Sequence, residues 1–368
     1  MGVILGIDFG TVNTTVSYVD TDGTVKLIPS SEGYTYFPTL VYIDPSDKYV
    51  YTGESALYES FYHPQGLIKK VRAFITEADF CYCIGGRDFS VDYVIGLFFD
   101  SVMKQVEDHL GDVEIDGAVI ACPCYYTKRT CARIAKAAER AVLSNGQHLK
   151  VLTVVTDSIA AAAAHYLSKN EAVKKTVLVY DLGGSFDVTL MRVESSKGVN
   201  GIKILDVTGD QSIGGDEWSR EVGMYLVDNF IEAIGVDPDK ILDDMDTRFD
   251  VERKAEKATR ILSQNDSVSL YLSYEGQRER ISITRETFED ITEYLLIRTL
   301  SLTDKLLYDS GTAPESIDEI LLCGRATRMP QIKTALTKAY GRPVIAEDPD
   351  NLVSIGSAIL GNSLCRGI

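Results

Sequence analysis

An α/β protein of two lobes, each with an inserted segment, is what this sequence predicts, and three observations predict it. Strand-like apolar runs alternate with helical stretches from one end of the chain to the other. One turn sequence occurs twice, about half the chain apart: Leu5-Gly6-Ile7-Asp8-Phe9-Gly10-Thr11-Val12-Asn13-Thr14-Thr15-Val16 and Val179-Tyr180-Asp181-Leu182-Gly183-Gly184-Ser185-Phe186-Asp187-Val188-Thr189-Leu190. Two long stretches, residues 30–115 and 216–310, interrupt the core pattern, one after each turn.

In each copy of the turn an apolar run reads into an aspartate, a glycine and a hydroxyl residue, then out along alternating apolar positions. That describes a strand, a tight turn and a returning strand. Glycine lets the backbone approach an anion, successive N–H groups form a concave positive nest, and a carboxylate at the strand end can hold a magnesium hydration shell. Two such turns suggest a duplicated core clamping one nucleotide.

The composition narrows the alternatives. A chain of 368 residues with 45% hydrophobic content can bury two substantial cores. The formal charge of −17 leaves too little basic surface to bind a nucleic-acid backbone. No apolar run approaches a membrane span, and Met1-Gly2-Val3-Ile4 leads into a strand without a basic leader, so a cytoplasmic protein that binds neither membrane nor nucleic acid is expected. Seven cysteines, most in apolar strand-like contexts, read as reduced buried thiols, and the four histidines stand at no metal-ligand spacing.

Taken in order, Tyr18 to Ile28 carries Asp22-Gly23 between alternating strands, so residues 1–28 form a small β-meander. The first insertion has strand-like Pro38–Ile43 and Lys48–Tyr51, a helix from Gly53 to Phe61, and an amphipathic helix from Tyr93 to His109. Glu114–Ala121 is a buried strand stopped by Pro123, and Thr127–Ser144 is a helix. The strand Leu149–Val155 meets Thr156-Asp157-Ser158 and an alanine-rich helix, which puts Asp157 where a helix N-cap stands. After the second turn come a strand over Ile202–Thr208 and the loop Gly214-Gly215 opening a long helix, whose N-terminus is a ready anion site. The second insertion is helical around two strands, Ser267–Leu272 and Glu279–Ile283, and the core resumes at Glu319–Gly324 and closes with a helix from Asn351.

With these motifs in order, the chain resembles the nucleotide-binding domain of the seventy-kilodalton heat-shock chaperones, within the actin and sugar-kinase superfamily. The residues that carry the resemblance are Gly6-Ile7-Asp8-Phe9-Gly10-Thr11, Ala118-Val119-Ile120 with Pro123-Cys124-Tyr125-Tyr126, Asp181-Leu182-Gly183-Gly184, Ile213-Gly214-Gly215, and Gly324 with Thr327-Arg328-Met329-Pro330. It implies an actin-like ATPase fold with a duplicated ribonuclease H-like core, lobe I over residues 1–175 and lobe II over 176–368, the final helix packing back on lobe I. It also implies ATP or ADP, magnesium, potassium as an accompanying ion, slow hydrolysis, and co-chaperones such as a nucleotide exchange factor.

Residue by residue, the resemblance assigns Asp8 and Asp181 to the magnesium water shell. The phosphates fall to the turns around Gly10, Thr11, Val12 and Asn13 and around Gly183, Gly184 and Ser185. Lys69 matches the lysine that reaches the γ-phosphate and the attacking water, with Lys70 next to it in register. Asp157 falls where the family has a glutamate near that water, and Asp187 where it has an aspartate. Glu256, Arg260 and Ser263, spaced four and three apart on one helix face, match the adenosine side, with Gly324, Arg325, Arg328 and Asp350 from the opposite wall.

The chain also departs from the family's pattern. Its second turn is one Gly short and has Ser185 for Thr, Asp157 is a methylene shorter than glutamate, and Arg325 and Ala326 replace Gly and Ser. Lys128 and Cys131 replace an acidic residue and an Arg used by J-domain partners, which argues against a standard J-protein. No acidic-leucine linker or β-rich substrate domain follows Ile368, so the expectation is a fragment or a protein without a peptide-binding half. An ATPase module is the leading reading. A non-catalytic nucleotide switch and a filament-forming bacterial actin relative are the alternatives, and a sugar kinase lacks a hexose motif.

Overall fold

The structure is a computed structural model that describes residues 2–61, 63–169, 171–237, 241 and 244–366. Val3–Phe9 and Asn13–Val19 pair antiparallel around the first turn, and Val25–Ile28 adds antiparallel to the second of them. Ile115–Cys122 and then Val151–Thr156 extend the sheet in parallel on the other side of Val3–Phe9. The second half repeats this strand for strand. Lys174–Leu182, Phe186–Glu194 and Ile202–Asp210 run antiparallel, and Glu319–Cys323 and Val344–Ile345 add in parallel beside Lys174–Leu182.

Because successive strand residues point to opposite faces, each sheet has an outer and an inner side chain set. In the first strand Val3, Leu5, Ile7 and Phe9 enter the lobe I core, where Phe9 meets Phe99 with ring centroids 5.1 Å apart. In the matching strand Leu178, Tyr180 and Leu182 enter the lobe II core. That leaves Gly6 and Asp8 on one inner face, and Val177, Val179 and Asp181 on the other.

Two helices fill the space between the inner faces. The run Asp157–Ala162 continues as a π-helical turn over Ala163–Leu167, and Ala160 to Ala164 pack with Val177, Val179, Leu321 and Cys323 of the second sheet. The last helix, Leu352–Arg366, lies on the first sheet at Gly6, where a Cβ would stand 2.1 Å from the Ala358 nitrogen. The two helices touch where a Cβ on Gly356 would fall 1.7 Å from the Ala160 carbonyl oxygen.

Some sequence expectations shift. The helix expected over Thr127–Ser144 is Lys128–Ala138, opened by the Thr127 hydroxyl, which accepts from the Thr130 amide at 3.2 Å. It stops early because Asn145-Gly146 makes a turn, with Gly146 at φ 80° and the Leu143 amide bonded to the Gln147 carbonyl at 2.8 Å. The helix Val91–Leu110, read as part of the first insertion, covers the core sheet through Phe98 and Phe99. Likewise Arg285–Asp309, read as part of the second, covers the other sheet, its Thr299 bonded to the Tyr180 hydroxyl at 2.6 Å. The thiols are less buried than expected: Cys122 and Cys323 are enclosed, whereas Cys81, Cys83 and Cys365 are exposed.

Candidate functional site

A cavity of about 450 Å³ lies between the lobes, a volume suited to a small organic ligand. It is lined at one end by both glycine turns and the inner-face aspartates, and at the other by the helix carrying Glu256 and the segment from Gly324 to Arg328.

The turns meet each other. Phe9 pairs with Thr14 and Leu182 with Phe186, so the first loop spans Gly10 to Asn13 and the second, one residue shorter, spans Gly183 to Ser185. A Cβ on Gly184 would lie 2.9 Å from both Thr11 Cβ and Val12 Cγ2, so the second turn rests on the first only because the position is glycine. Gly214 does not line the cavity; it backs the second turn, where a Cβ would sit 2.5 Å from the Gly184 carbonyl. Its amide donates to the Glu217 carboxylate at 2.6 Å and the Gly215 amide donates to the Gly183 carbonyl at 2.9 Å. The Gly215 amide thus holds the turn and the Gly214 amide caps its own helix, Gly215–Ile234, so neither is free for an anion.

Four aspartates converge beneath the turns: Asp8, Asp157, Asp181 and Asp187. Burial, then the Asp157 charge, pushes the Asp8 and Asp181 carboxyls well above the usual carboxylate range, against the pull of Arg72. Burial raises Asp187 to about 8 and Asp157 to about 6, Arg72 again opposing. One oxygen each of Asp157 and Asp187 is buried without a hydrogen-bond partner. Asp157 is not the N-cap of its helix. The Thr156 hydroxyl has that place, accepting from the Ile159 amide at 3.4 Å, which leaves the Asp157 carboxylate to face the cavity.

Among the described residues, Arg72 is the one cation acting on all four carboxylates. Its Nη1 donates to the Phe9 carbonyl at 2.7 Å and its Nε to the Thr11 hydroxyl at 3.0 Å, and Nη1 stands 3.9 Å from Asp157 Oδ2. Burial disfavours the charge, but Tyr126, Asp157, Tyr125 and Asp8 around it outweigh burial and keep the guanidinium protonated. Lys69, which the resemblance aims at the γ-phosphate, stands elsewhere. Its Nζ is 3.2 Å from Glu252 and 5.8 Å from the Phe249 ring centre, in a separate cleft between the insertions. Lys70, at a left-handed φ of 54°, reaches Asp216 at 2.9 Å.

The profile of the family described as Hsp70 protein matches residues 77–366. This chain belongs to that family. Similar curated proteins include the chaperone protein DnaK of Thermotoga neapolitana and of Thermotoga maritima, each 30% identical over 365 residues, covering 97% of this chain and 58% of the relative. The chaperone protein DnaK of Halobacterium salinarum is 28% identical over 369 residues, 98% of this chain and 56% of its own length. The chain thus spans a little over half the length of these relatives, and it corresponds to the nucleotide-binding domain of an Hsp70-type chaperone. Hsp70 proteins share the actin-like ATPase fold, whose duplicated core is the pair of matching sheets, and the family's members are ATPases.

Against the Hsp70 pattern, the far end of the cavity is assembled from the residues that the sequence singled out. Glu256, Arg260 and Ser263 all line it from the helix Met245–Leu262 and its C-cap. Opposite, Arg328 Nε bonds to Asp350 Oδ1 at 2.8 Å, and Arg325 Nε stands 3.5 Å from Asp350 Oδ2. Gly324, at φ 82°, lets the chain pass the end of the Asp181 strand, since a Cβ there would meet the Leu182 carbonyl oxygen at 2.4 Å. The Arg325 guanidinium lies over the Tyr36 ring of lobe I at 4.0 Å, a contact that a glycine at this position would not make.

Arg72 and Tyr36 are what sequence reading missed. The signal for Arg72 was present: a cation followed by Ala73-Phe74-Ile75 and preceded by Val71 sits in an apolar run, and a charge there has to be buried and paired. Tyr36 carried no such signal, because its partner is 289 residues away in sequence (325 − 36).

Proposed function

We propose that this domain binds and slowly hydrolyses ATP, and that the bound nucleotide sets how closely the lobes approach, which signals to the rest of an Hsp70-type chaperone or to a partner. The observation that carries the reading is the seating of Gly184 on Thr11 and Val12, which joins two backbone nests above four enclosed carboxylates. In this reading the phosphates lie in the two turns, and the nucleoside lies between the Glu256 helix and Gly324, with Arg260, Ser263, Arg328 and Asp350 around it.

A hydrated magnesium ion fits the donor set. Among the described residues no group of side chains is placed to ligate a metal directly. Asp8, Asp157, Asp181 and Asp187 nonetheless form an all-oxygen cluster with a single guanidinium to balance it, and two of their oxygens lack partners. Asp8 and Asp181 would hold the ion through its water shell, and the ion would supply charge neutralisation at the phosphate oxygens. Asp157, with its free oxygen, would accept a hydrogen bond from the attacking water. A nucleotide exchange factor is the partner class that this reading carries over, and Lys128 and Cys131 on the helix Lys128–Ala138 stand against a standard J-protein.

Titration calorimetry with ATP and ADP, with and without magnesium, tests the reading. Magnesium-dependent binding is expected, and no binding at millimolar nucleotide would sink it whatever the fold.

A further inference from the structure

ATP hydrolysis places demands on charge. The oxygen of water bonds to the γ-phosphorus, and the bond from that phosphorus to the β,γ-bridging oxygen breaks with its electron pair passing to ADP. Of the two protons of that water, one stays on the phosphate product and the other passes to solvent. Negative charge shifts toward the bridging oxygen, so a cation fixed beside the reacting group lowers the barrier, whereas a mobile one must first be ordered.

We propose that Arg72 supplies this charge in place of Lys69, an inference that rests on the ATP reading above. Its two hydrogen bonds end on the Phe9 carbonyl and the Thr11 hydroxyl, the last residue of the first strand and a residue of the first turn. The guanidinium is therefore tied to the same loop that would hold the phosphates. Two of its three nitrogens are so occupied, and Nη2 makes no hydrogen bond to the described residues, which leaves its N–H groups for a ligand in the cavity that Arg72 lines. Asp157, on the other side of Nη1 at 3.9 Å, puts the water-orienting carboxylate and the cation at the same point.

The chain geometry divides the labour among neighbours. The strand Leu67–Ile68 ends just before Lys70, whose left-handed backbone turns the chain into the short 3-10 helix Val71–Thr76. Lys69 and Lys70 are left reaching across to Glu252 and Asp216 of lobe II, and Arg72 points inward. A lysine paired with an exposed glutamate in a separate cleft has neither the position nor the desolvation to act on phosphate.

A scaffolding role, in which Arg72 only pins Phe9 and Thr11, is the competing explanation, and a conservative series separates the two. Single-turnover ATP hydrolysis and ADP titration are measured on the full chain for the parent, Arg72→Gln, Arg72→Lys and Lys69→Ala, with melting temperatures alongside. Glutamine places its amide nitrogen where Nε stands and can still donate to the Thr11 hydroxyl, but it carries no charge. Arg72→Gln is expected to slow hydrolysis by about ten- to a thousandfold with ADP affinity changed by less than about threefold, the signature of a group acting on the transferring phosphoryl. Arg72→Lys should recover part of the rate, and Lys69→Ala should stay near the parent. A folded Arg72→Gln with the parental rate overturns the inference, as does a loss of ADP affinity equal to the loss of rate, or an Arg72→Lys variant no faster than Arg72→Gln. Should Arg72→Gln fail to fold, the inference stands or falls on Arg72→Lys, whose rate must be measurable and whose ADP affinity must be parental. A parent that binds no magnesium nucleotide overturns the ATP reading and this inference with it; a parent that hydrolyses beside an unaffected Arg72→Gln overturns this inference alone.

Discussion

Gly184 and Thr11, 173 residues apart in sequence (184 − 11), are in contact across the floor of the cleft, and a Cβ on Gly184 would be only 2.9 Å from Thr11 Cβ. Because Val12 Cγ2 blocks the same space at 2.9 Å, a side chain there can be accommodated only by parting the turns. Gly184→Ala is expected to weaken ADP binding about tenfold or more, worth ~1.4 kcal/mol, while the melting temperature of the free protein moves little. Calorimetric titration checks it, and parental affinity would mean that nucleotide does not need the turns together.

Stability without nucleotide should fall as pH rises. Asp187 is held at about 8 in the fold, burial being the main cause, against an ordinary 3.8. The folded state therefore keeps a proton that the unfolded chain loses near 3.8, and the stability this contributes is complete below 3.8 and is lost as pH climbs through about 8. Asp157 acts the same way up to about 6. The melting temperature should be lower at pH 8 than at pH 5, and Asp187→Asn should flatten that slope. His165, whose lowered pKa acts in the opposite sense, is common to both proteins, so the difference between them reports Asp187 together with the Asp181 carboxyl that its charge raises. An unchanged slope in the variant would show that Asp187 is ionised in the free fold.

The contact between Arg325 and Tyr36 joins the segment after Gly324 to lobe I. A stacked guanidinium of this kind contributes about 0.5–2 kcal/mol, so Arg325→Gly or Tyr36→Ala should speed nucleotide release by roughly two- to thirtyfold. Stopped-flow release of a fluorescent ADP measures it. Equal release rates in parent and both variants would assign the contact no part in holding the lobes.

Close packing of the last helix gives a stability prediction. Gly356→Ala drives a methyl to 1.7 Å from the Ala160 carbonyl oxygen, and neither helix backbone can yield without leaving its sheet. Overpacking of this sort costs about 1–3 kcal/mol, and denaturant unfolding should show it as a lower midpoint. A parental midpoint would mean that the helices cross more loosely.

Much of this arrangement was legible because it is written locally. The duplicated Asp-and-Gly turns, the Glu256–Arg260–Ser263 helix face and the break at Gly324 each occupy a few consecutive or periodic residues, and all of them line one cavity. What was not legible depends on how the chain turns between elements. Lys69 and Arg72 differ by three positions in a segment of strand, left-handed residue and 3-10 helix, where no period relates one side chain's direction to the next. The boundaries of the insertions blurred for a related reason: Val91–Leu110 is amphipathic whether its apolar face covers an insertion or the core sheet, and it is settled by distant partners such as Phe9, Leu5 and Ile7.

The two central helices are exchanged. Asp157–Leu167, which follows the strands of the first half, packs with the second sheet, and Leu352–Arg366, which follows the strands of the second half, lies on the first. It is a swap carried out within one polypeptide. A chain cut between the lobes at residue 175 would give a first piece whose inner sheet face, with Gly6 and Ile4, has lost its cover, and a second piece with a helix that has lost its sheet. Neither half is a separable building block, because each carries a helix that covers the other's sheet.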